Sequence, residues 1–247
     1  MLELSQVSVR FGGLTAVQDV SFSMDGKQVV GLVGPNGAGK TTLFNVISGL
    51  VRPAGGSRVI FDGRDITRSA LHHRARFGLG RSFQIPQPMH ELTVRENLIV
   101  AQRFGAGRVD QNRIDRILEL MELGEQAERD AATGLALQEL KRLEVAKALA
   151  TEPKLLLLDE VLAGLETLAK RDFMTKLREL HETLGLGILI IEHDIETISS
   201  LCHRVVVLDF GQLIADGTPE EVFSNADVIR SYTGAEPVAE SAEAHHA

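Results

Sequence analysis

Cysteine is almost absent from this chain of 247 residues, in which Cys202 is the only one. A single thiol cannot form an internal disulfide, so the fold cannot depend on a disulfide framework. This scarcity fits a protein of a reducing compartment such as the cytosol. Cys202 falls in a stretch whose pattern predicts an apolar helix face, and we expect it to pack in the core.

Long apolar runs and an excess of positive charge are also missing. No stretch reaches the about 18 apolar residues of a membrane-spanning helix, and the first residues lack the basic-then-apolar pattern of a signal peptide. The net charge of −8 argues against nucleic acid as the main partner. Apolar residues make up 44 % of the chain, so we expect one large or two small globular domains.

The most informative segment is the run from Gly34 to Thr41, which spells Gly-Pro-Asn-Gly-Ala-Gly-Lys-Thr. It fits the phosphate-binding pattern G-x-x-x-x-G-K-[ST] without a substitution and lies between a strand pattern and a helical one. Its glycines let backbone N–H groups turn towards an anion, and the helix N-terminus adds partial positive charge. Lys40 can reach the β- and γ-phosphates, and the Thr41 hydroxyl can ligate Mg²⁺. The predicted nucleotide-binding residues of this loop are Gly34, Pro35, Asn36, Gly37, Ala38, Gly39, Lys40, Thr41 and Thr42.

The order of apolar patterns predicts an α/β fold. Near-alternating strands over Leu2–Phe11 and Val17–Met24 precede a buried-type strand over Val29–Val33. Helical patterns near residues 93–103 and 110–123 predict a helical insertion. After Gln138, helices alternate with short apolar strands, which predicts a parallel sheet covered by helices. The basic residues of the middle segment predict a solvated surface, with a partner-facing surface as the alternative: His72, His73, Arg74, Arg76 and Arg81.

Three predicted strands of this sheet end just before chemically interesting residues. The first precedes the phosphate-binding loop, the second precedes Asp159 and Glu160, and the third precedes Glu192, His193 and Asp194. Because ligands of parallel α/β sheets bind beyond the carboxyl ends of the strands, we expect these groups to meet. Asp159 is placed to hold Mg²⁺ directly or through water, and Glu160 to act as general base towards an attacking water. We expect His193 to bond the γ-phosphate and orient that water.

These residues resemble those of the ATP-binding subunits of ABC transporters, and the resemblance covers nearly the whole chain. Lys40 and Thr41 match the Walker A positions, and Asp159 matches the Walker B aspartate. Glu160 matches the adjacent catalytic glutamate, and His193 matches the switch histidine. The resemblance therefore implies an ATPase with ATP and Mg²⁺ as its cofactors.

Two further residues gain a role only from the resemblance. Gln84, in Arg81-Ser-Phe-Gln84, matches the Q-loop glutamine, which in this family touches Mg²⁺ and water and couples to the permease. Phe11 matches the aromatic residue that stacks on adenine, for which a phenyl ring offers the necessary π-face. The implied catalytic residues are Glu160, His193, Gln84 and Lys40, and the implied metal-binding residues are Thr41, Gln84 and Asp159.

The resemblance also implies an architecture. It is the P-loop NTPase fold of ABC ATPases, an α/β fold with a parallel core sheet, an N-terminal antiparallel β subdomain and a helical insertion. We expect one domain over residues 1–234, with the helical subdomain at about 85–150. The last residues, 235–247, are small and acidic, and we expect a flexible tail there.

Finer motifs resemble the subunits that energise branched-chain amino acid importers. They are Phe11–Ala16, Phe83–Pro86, Ile191–Asp194 and Val228–Gly234. This likeness implies solute uptake driven by ATP hydrolysis at the cytoplasmic face of the inner (cell) membrane. The implied partners are transmembrane permease subunits, a second ATPase subunit and, indirectly, a periplasmic or extracellular solute-binding protein. Importers of urea and short amides are near relatives and stay an alternative.

The chain departs from the family at its signature, Leu-Ser-Gly-Gly-Gln, which contacts the γ-phosphate bound by the opposite subunit. The matching stretch is Leu135-Ala-Leu-Gln-Glu139, ahead of a helix predicted over Leu140–Ala150. Ala136 has no hydroxyl, and Gln138 has a side chain where backbone must approach closely. Glu139 adds negative charge, which we expect to face phosphate. Removing one donor to a developing charge can cost on the order of 10²–10³ in rate.

Two smaller departures from the family pattern follow Glu160 in the sequence. Glu166 stands where the family has Asp, and Val161 and Leu162 replace the usual Pro and a small residue. The Walker residues are nevertheless intact, so a partner with a good signature can complete this chain's ATP site. We therefore predict a heterodimer with one hydrolysing site. The alternative is an ATP-binding subunit that regulates such a complex without hydrolysing ATP.

Overall fold

The computed structural model describes residues 1–233, and the predicted tail over 235–247 lies outside them. The strands are β1 (Leu2–Phe11), β2 (Leu14–Met24), β3 (Val29–Val33), β4 (Arg58–Phe61), β5 (Arg64–Asp65), β6 (Leu79–Arg81), β7 (Leu155–Asp159), β8 (Gly187–Ile191), β9 (Arg204–Asp209) and β10 (Gln212–Gly217). The helices are α1 (Lys40–Ser48), α2 (Leu71–Arg76), α3 (Val94–Gly105), α4 (Gln111–Leu120), α5 (Leu137–Ala150), α6 (Thr167–Leu184), α7 (Ile195–Leu201), α8 (Pro219–Ser224) and α9 (Ala226–Thr233). Among the helices of residues 1–233, none combines the length and the apolar character that a membrane-spanning segment needs.

The larger sheet has the strand order β10-β9-β3-β8-β7-β6. All its neighbouring pairs are parallel except β10 with β9, which is antiparallel. Every residue of β3, β7 and β8 is buried, as expected for continuous apolar runs covered on both faces. The predicted parallel core sheet is confirmed, and it brings the carboxyl ends of these strands to one edge.

Two strands of this sheet do not follow from the sequence pattern. β6 is three residues long and contains a glycine and an arginine, so it lacks an apolar run. β10 is a half-exposed edge strand that ends in Asp-Gly. Both strands lie at the edges of the sheet, where β6 pairs with β7 and β10 pairs with β9.

The smaller sheet is antiparallel, with the order β2-β1-β4-β5. In β1 the buried side chains are Leu2, Leu4, Val7 and Val9, so the alternation breaks once. The break coincides with a register shift and with Gln6, whose φ of +50° is left-handed. This irregularity explains the near-alternating pattern, and the sheet confirms the predicted antiparallel N-terminal unit.

The helices between β6 and β7 lie where the sequence predicts a helical insertion. α3 begins at a capping box, in which Thr93 accepts from the N–H of Glu96 and the Glu96 carboxylate accepts from the N–H of Thr93. α3 and α4 both pack against α5. The predicted boundaries of the subdomain and of the single domain stay a prediction.

Cys202 is buried in the core, as the sequence predicts, but it does not lie on a helix face. The residue is 6 % exposed and belongs to the main apolar cluster. It lies just after α7, in extended backbone, rather than on the helix face. Burial raises the pKa of its thiol to about 12, which is consistent with a packing role.

Candidate nucleotide-binding and catalytic site

The phosphate-binding loop connects β3 to α1 through backbone conformations that residues other than glycine rarely adopt. Gly34, Gly37 and Gly39 have φ values of +143°, +82° and +99°. A Cβ on Gly34 would overlap the carbonyl oxygen of Leu208, and one on Gly39 would overlap that of Ala16. The loop is therefore held against β9 and β2 by glycines that cannot be replaced without moving it.

Lys40 begins α1 and is buried, with 6 % of the residue exposed. Its Nζ donates to the carbonyl oxygens of Gly34, at 2.6 Å, and Pro35, at 2.9 Å. Desolvation lowers its pKa, while the nearby carboxylates of Glu160 and Asp159 oppose that change. The ammonium group is thus positioned over the loop, where a phosphate would meet it.

A cavity of about 490 Å³ opens over this loop. Phe11 lies in its wall and is 52 % exposed, which leaves its ring free to stack. Of the predicted site residues, the wall contains Phe11, Asn36, Gly37, Ala38, Gly39, Lys40, Thr41, Thr42, Glu160 and His193. It does not contain Gly34, Pro35, Gln84 or Asp159.

Phe210 also lines this cavity and was not predicted from the sequence. It is 88 % exposed, and its φ of +42° is left-handed, an uncommon conformation for a phenylalanine. The β9–β10 turn that carries it is held against β2, because the N–H of Gln18 donates to the carbonyl of Gly211 at 2.8 Å. Gly211 has a φ of +78°, so Phe210 and Gly211 form the central pair of a two-residue hairpin turn, in which both positions need positive φ.

Three predicted catalytic residues meet in direct hydrogen bonds. Gln84 Nε2 donates to Glu160 Oε2 at 2.6 Å, and His193 Nε2 lies 2.7 Å from Glu160 Oε1. Both carboxylate oxygens of Glu160 are therefore oriented by side chains from other segments. Glu160 itself has a left-handed φ of +49°. Its N–H donates to the carbonyl of Ile191, at the end of β8, which fixes the main chain beside His193.

Asp159 is buried behind the cavity, with 4 % of its side chain exposed. Arg81 Nη2 lies 3.2 Å from its Oδ2, whereas its Oδ1 has no hydrogen-bond partner within the described residues. Desolvation raises the pKa of this carboxyl, and the charge of Arg81 opposes that effect. A buried oxygen without a partner fits a ligand position for Mg²⁺ or for its coordinated water, because Mg²⁺ prefers hard oxygen donors.

Two basic residues of the middle segment correct the expectation of a solvated surface. Arg81 has only 5 % of its side chain exposed. Arg74 is 1 % exposed and donates to the carbonyls of Val46 and Ile47, near the end of α1. A cation at a helix C-terminus satisfies carbonyls that have no partner within the helix. His72, His73 and Arg76 are exposed, as predicted.

Lys141, on α5, is a further site residue that the sequence reading missed. It is 3 % exposed, and its Nζ donates to the carbonyls of Gln84, at 2.7 Å, and Glu160, at 3.1 Å. Desolvation lowers its pKa, and surrounding carboxylates, led by Glu192, oppose that change. A lysine in an amphipathic helix usually faces water, so only the packing of α5 against the sheet edge reveals this link.

The residues on either side of His193 have structural partners. Glu192 is buried and accepts from the N–H of Leu162 at 2.8 Å. Its burial raises the pKa of its carboxyl to about 7. Asp194 caps α7, accepting from the N–H of Glu196 and the hydroxyl of Thr197. Of the three polar residues after β8, only His193 lines the cavity.

A comparison with models of protein families shows which family the chain belongs to. A family model described as "ABC transporter" matches residues 17–163. The chain belongs to the ABC transporter family. A second model, "Branched-chain amino acid ATP-binding cassette transporter", matches residues 212–238 of this cassette.

Curated relatives of the cassette extend over nearly its whole length. It is 39 % identical to the high-affinity branched-chain amino acid transport ATP-binding protein BraF of Pseudomonas aeruginosa, covering 95 % of this chain and 98 % of that one. It is 37 % identical to LivG of Escherichia coli, which has the same description, with the same two coverages. It is 38 % identical to the lipopolysaccharide export system ATP-binding protein LptB of Haemophilus influenzae, covering 88 % and 90 %.

Solved cassettes share its fold. An ATP-binding cassette of an ABC transporter in its ADP conformation superposes with a TM-score of 0.84 at 31 % identity, covering 95 % of this chain and 99 % of that one. A nucleotide-free cassette gives a TM-score of 0.85 at 30 % identity, with the same coverages. The predicted ABC ATPase fold is confirmed, and this protein is an ATP-binding subunit of an ABC transporter and an ATPase of that family.

The stretch predicted to match the family signature, Leu135–Glu139, differs from the expectation in where its helix begins and in what Glu139 contacts. α5 begins at Leu137, three residues before the predicted start. Glu139 turns back on its own helix: Oε2 accepts from the N–H of Ala136 at 2.7 Å, and Oε1 accepts from Gln126 at 2.9 Å. We expected this carboxylate to face phosphate; it serves the helix N-terminus instead. Ala136, Leu137 and Gln138 are exposed, and Leu137 leaves 48 % of its surface in water.

Proposed function

We propose that this cassette hydrolyses Mg-ATP to drive uptake of branched-chain amino acids through a membrane permease. Its likeness to BraF and LivG over nearly the whole chain supports the solute class, and so does the match of residues 212–238. The observation that carries hydrolysis is the pair of short hydrogen bonds that Glu160 makes with Gln84 and His193, at the wall of the cavity.

The residues of the cavity divide into three roles. The loop amides and Lys40 bind the β- and γ-phosphates. Phe11 stacks on the adenine, and Phe210 provides a second apolar surface for the base. Thr41, Gln84 and Asp159 would hold Mg²⁺, directly or through water. The metal would neutralise phosphate charge and help align the γ-phosphate.

Glu160 acts as the general base in this proposal. Its carboxylate accepts a proton from the attacking water, and Gln84 and His193 keep the carboxylate aimed at that water. His193 is 45 % exposed, so it can also contact a γ-phosphate from the open side of the cavity. Lys141 fixes the main chain of both Gln84 and Glu160 by its two hydrogen bonds.

We further propose that the cassette works in a heterodimer at the cytoplasmic face of the membrane. Its nucleotide side has the full set of Walker residues, whereas its signature side lacks the serine hydroxyl and the two glycines. A different cassette with an intact signature would complete the site that contains Glu160. The reverse site, completed by Ala136, Leu137 and Gln138, would hold ATP and hydrolyse it poorly.

ATP turnover of the purified chain, alone and mixed with the second cassette of its transporter, tests this arrangement. We expect little turnover by the chain alone and at least a tenfold increase in the mixture. Rapid turnover by the chain alone would refute the heterodimer. Failure of the wild-type chain to bind Mg-ATP, with and without the second cassette, would refute the ATPase proposal itself.

The solute needs a separate measurement. In proteoliposomes with both cassettes and the permease subunits, we expect ATP turnover to rise when the solute-binding protein carries leucine. Stimulation by urea or a short amide, and none by leucine, would move the assignment to those importers.

A regulatory role without hydrolysis is the second candidate, and the altered signature is the observation that favours it. Replacing Glu160 by Gln separates the two functions in the assembled complex. Loss of turnover assigns the chemistry to this subunit, whereas full turnover would leave it only an ATP-binding role.

A further inference from the structure

Arg81 connects three parts of the nucleotide site, although it has no role in the proposed chemistry. It ends β6, whose parallel pairing with β7 places Arg81 opposite Leu157. The main chain continues this pairing for one more residue, because the N–H of Ser82 donates to the carbonyl of Leu157 at 2.9 Å. The register of the two strands therefore puts the guanidinium beside the end of β7, where Asp159 lies.

The guanidinium uses its two terminal nitrogens on different elements. Nη2 contacts Asp159 Oδ2 at 3.2 Å, and Nη1 donates to the hydroxyl of Ser48 at 2.5 Å. Ser48 is the last residue of α1, the helix that begins at the phosphate-binding loop. The fork thus joins the metal-side aspartate to the helix that carries Lys40 and Thr41.

Aromatic rings hold the rest of the guanidinium. Its Cζ lies 5.1 Å from the ring centroid of Phe83 and 6.0 Å from that of Phe44. Phe83 immediately precedes Gln84, which contacts Glu160. Cation–π contacts favour a planar guanidinium over an ammonium group, so this site is built for arginine.

The arrangement leaves one oxygen of Asp159 available. Arg81 engages Oδ2, while Oδ1 is buried and has no partner within the described residues. A carboxylate that is fixed through one oxygen presents the other in a defined direction. Groups that orient metal ligands in this way commonly change metal affinity about 10–100-fold when they are removed.

We infer that Arg81 is a positioning residue that aims the free oxygen of Asp159 at the Mg²⁺ of a bound nucleotide. The inference rests on the proposed function, because it requires that the cassette binds Mg-ATP. Arg81 does not line the cavity, so it would touch neither the nucleotide nor the reacting water. Its effect should therefore appear in the metal dependence of binding rather than in nucleotide affinity as such.

The test compares ATP affinity with Mg²⁺ and with EDTA, measured by calorimetry on the full chain. The ratio of the two dissociation constants is the gain from the metal. In Arg81→Met, which keeps much of the apolar bulk, we expect that gain to fall about 10–100-fold, with unchanged affinity in EDTA. Arg204→Met is the matched control, because Arg204 also pairs with a carboxylate, that of Asp216, and both residues are distant from Asp159 in the sequence. The gain in affinity that Mg²⁺ gives this variant should equal that of the wild type.

Two results would overturn the inference. One is a full metal gain in Arg81→Met; the other is an equal loss of affinity in Mg²⁺ and in EDTA, which would assign Arg81 a purely structural role. If Arg81→Met does not fold, as judged by circular dichroism, Arg81→Lys provides the test. A lysine keeps the charge but has no fork to span Ser48 and Asp159, so a several-fold loss supports the inference and an unchanged gain refutes it. If the wild type binds no Mg-ATP, the proposed function fails instead.

Discussion

The predicted nucleotide-binding face of this cassette and the face that contains its predicted signature differ in what their polar groups contact. On the predicted nucleotide-binding face, Glu160 lines an open cavity, and its two oxygens are held by Gln84 and His193. On the signature side, the carboxylate of Glu139 is used by its own helix. The first group of side chains surrounds a cavity. The carboxylate of Glu139, by contrast, forms hydrogen bonds within the protein.

In the proposed heterodimer, the two faces would contribute to different composite sites, so one face could change while the other is kept.

Restoring the signature should produce the largest change. The variant combines Ala136→Ser, Leu137→Gly, Gln138→Gly and Glu139→Gln. We expect the turnover of the chain alone to rise on the order of 10²–10³-fold, because phosphate donors return to both sites of a homodimer. Steady-state ATPase assays measure it. The same variant with Glu160→Gln should stay inactive; no rise in the restored chain would mean that its signature is not what limits it.

Glu192 provides a stability test of the buried sheet edge beside His193. Its folded-state pKa of about 7 lies above its usual 4.5, because burial disfavours the ionised form. The folded state therefore binds the proton more tightly, and the free energy of unfolding should fall as pH rises from about 4.5 to about 7. Glu192→Gln should remove this loss, a difference of about 3 kcal/mol above pH 7.

Urea denaturation at several pH values measures that difference. Glu182→Gln, at an exposed position of α6, is the control and should run parallel to the wild type. Parallel curves for Glu192→Gln and the wild type would show that the carboxyl does not stay buried as described.

The two phenylalanines that we propose to bind the base should have a smaller effect on ATP binding. Phe11→Ala and Phe210→Ala should each weaken Mg-ATP binding by about 1–3 kcal/mol, the usual range for base stacking, and leave binding of inorganic triphosphate unchanged. Phe104→Ala is the control, since Phe104 is 69 % exposed on α3 and outside the cavity. Equal weakening for triphosphate would show that Phe210 shapes the loop rather than the base site.

The smallest effect belongs to Glu139. Glu139→Ala removes the acceptor for the N–H of Ala136 and should cost about 1 kcal/mol of unfolding free energy. Glu139→Gln keeps an acceptor and should recover most of it. Thermal denaturation measures both. Neither change should alter the Mg-ATP affinity of the assembled heterodimer, in which this stretch would meet the partner's nucleotide. A gain in affinity there would show that the carboxylate does face phosphate.

The parts of the site that the sequence predicts are those encoded within a short segment. The loop from Gly34 to Thr41 needs fixed residue types at fixed spacing, and Asp159-Glu160 directly follows an apolar strand. The resemblance added Gln84 and Phe11. The core sheet was predictable for the same reason, because its central strands are apolar throughout.

The missed residues depend on contacts between distant segments. Arg81 is buried because β6 pairs with β7 in one register, and Lys141 is buried because α5 packs against the end of the sheet. Phe210 reaches the cavity through a turn that rests on β2. Residue type alone assigns arginine and lysine to the surface, so three-dimensional pairing was needed to correct it.

The asymmetry of the proposed heterodimer can be measured by placing the same change in each cassette in turn. Glu160→Gln in this chain, within the assembled transporter, should reduce ATP turnover on the order of 10²-fold or more. The matching Glu→Gln change in the second cassette should leave most of the turnover, because its nucleotide would meet the altered signature of this chain. Equal losses from the two changes, or a loss only from the second, would disprove that division of labour.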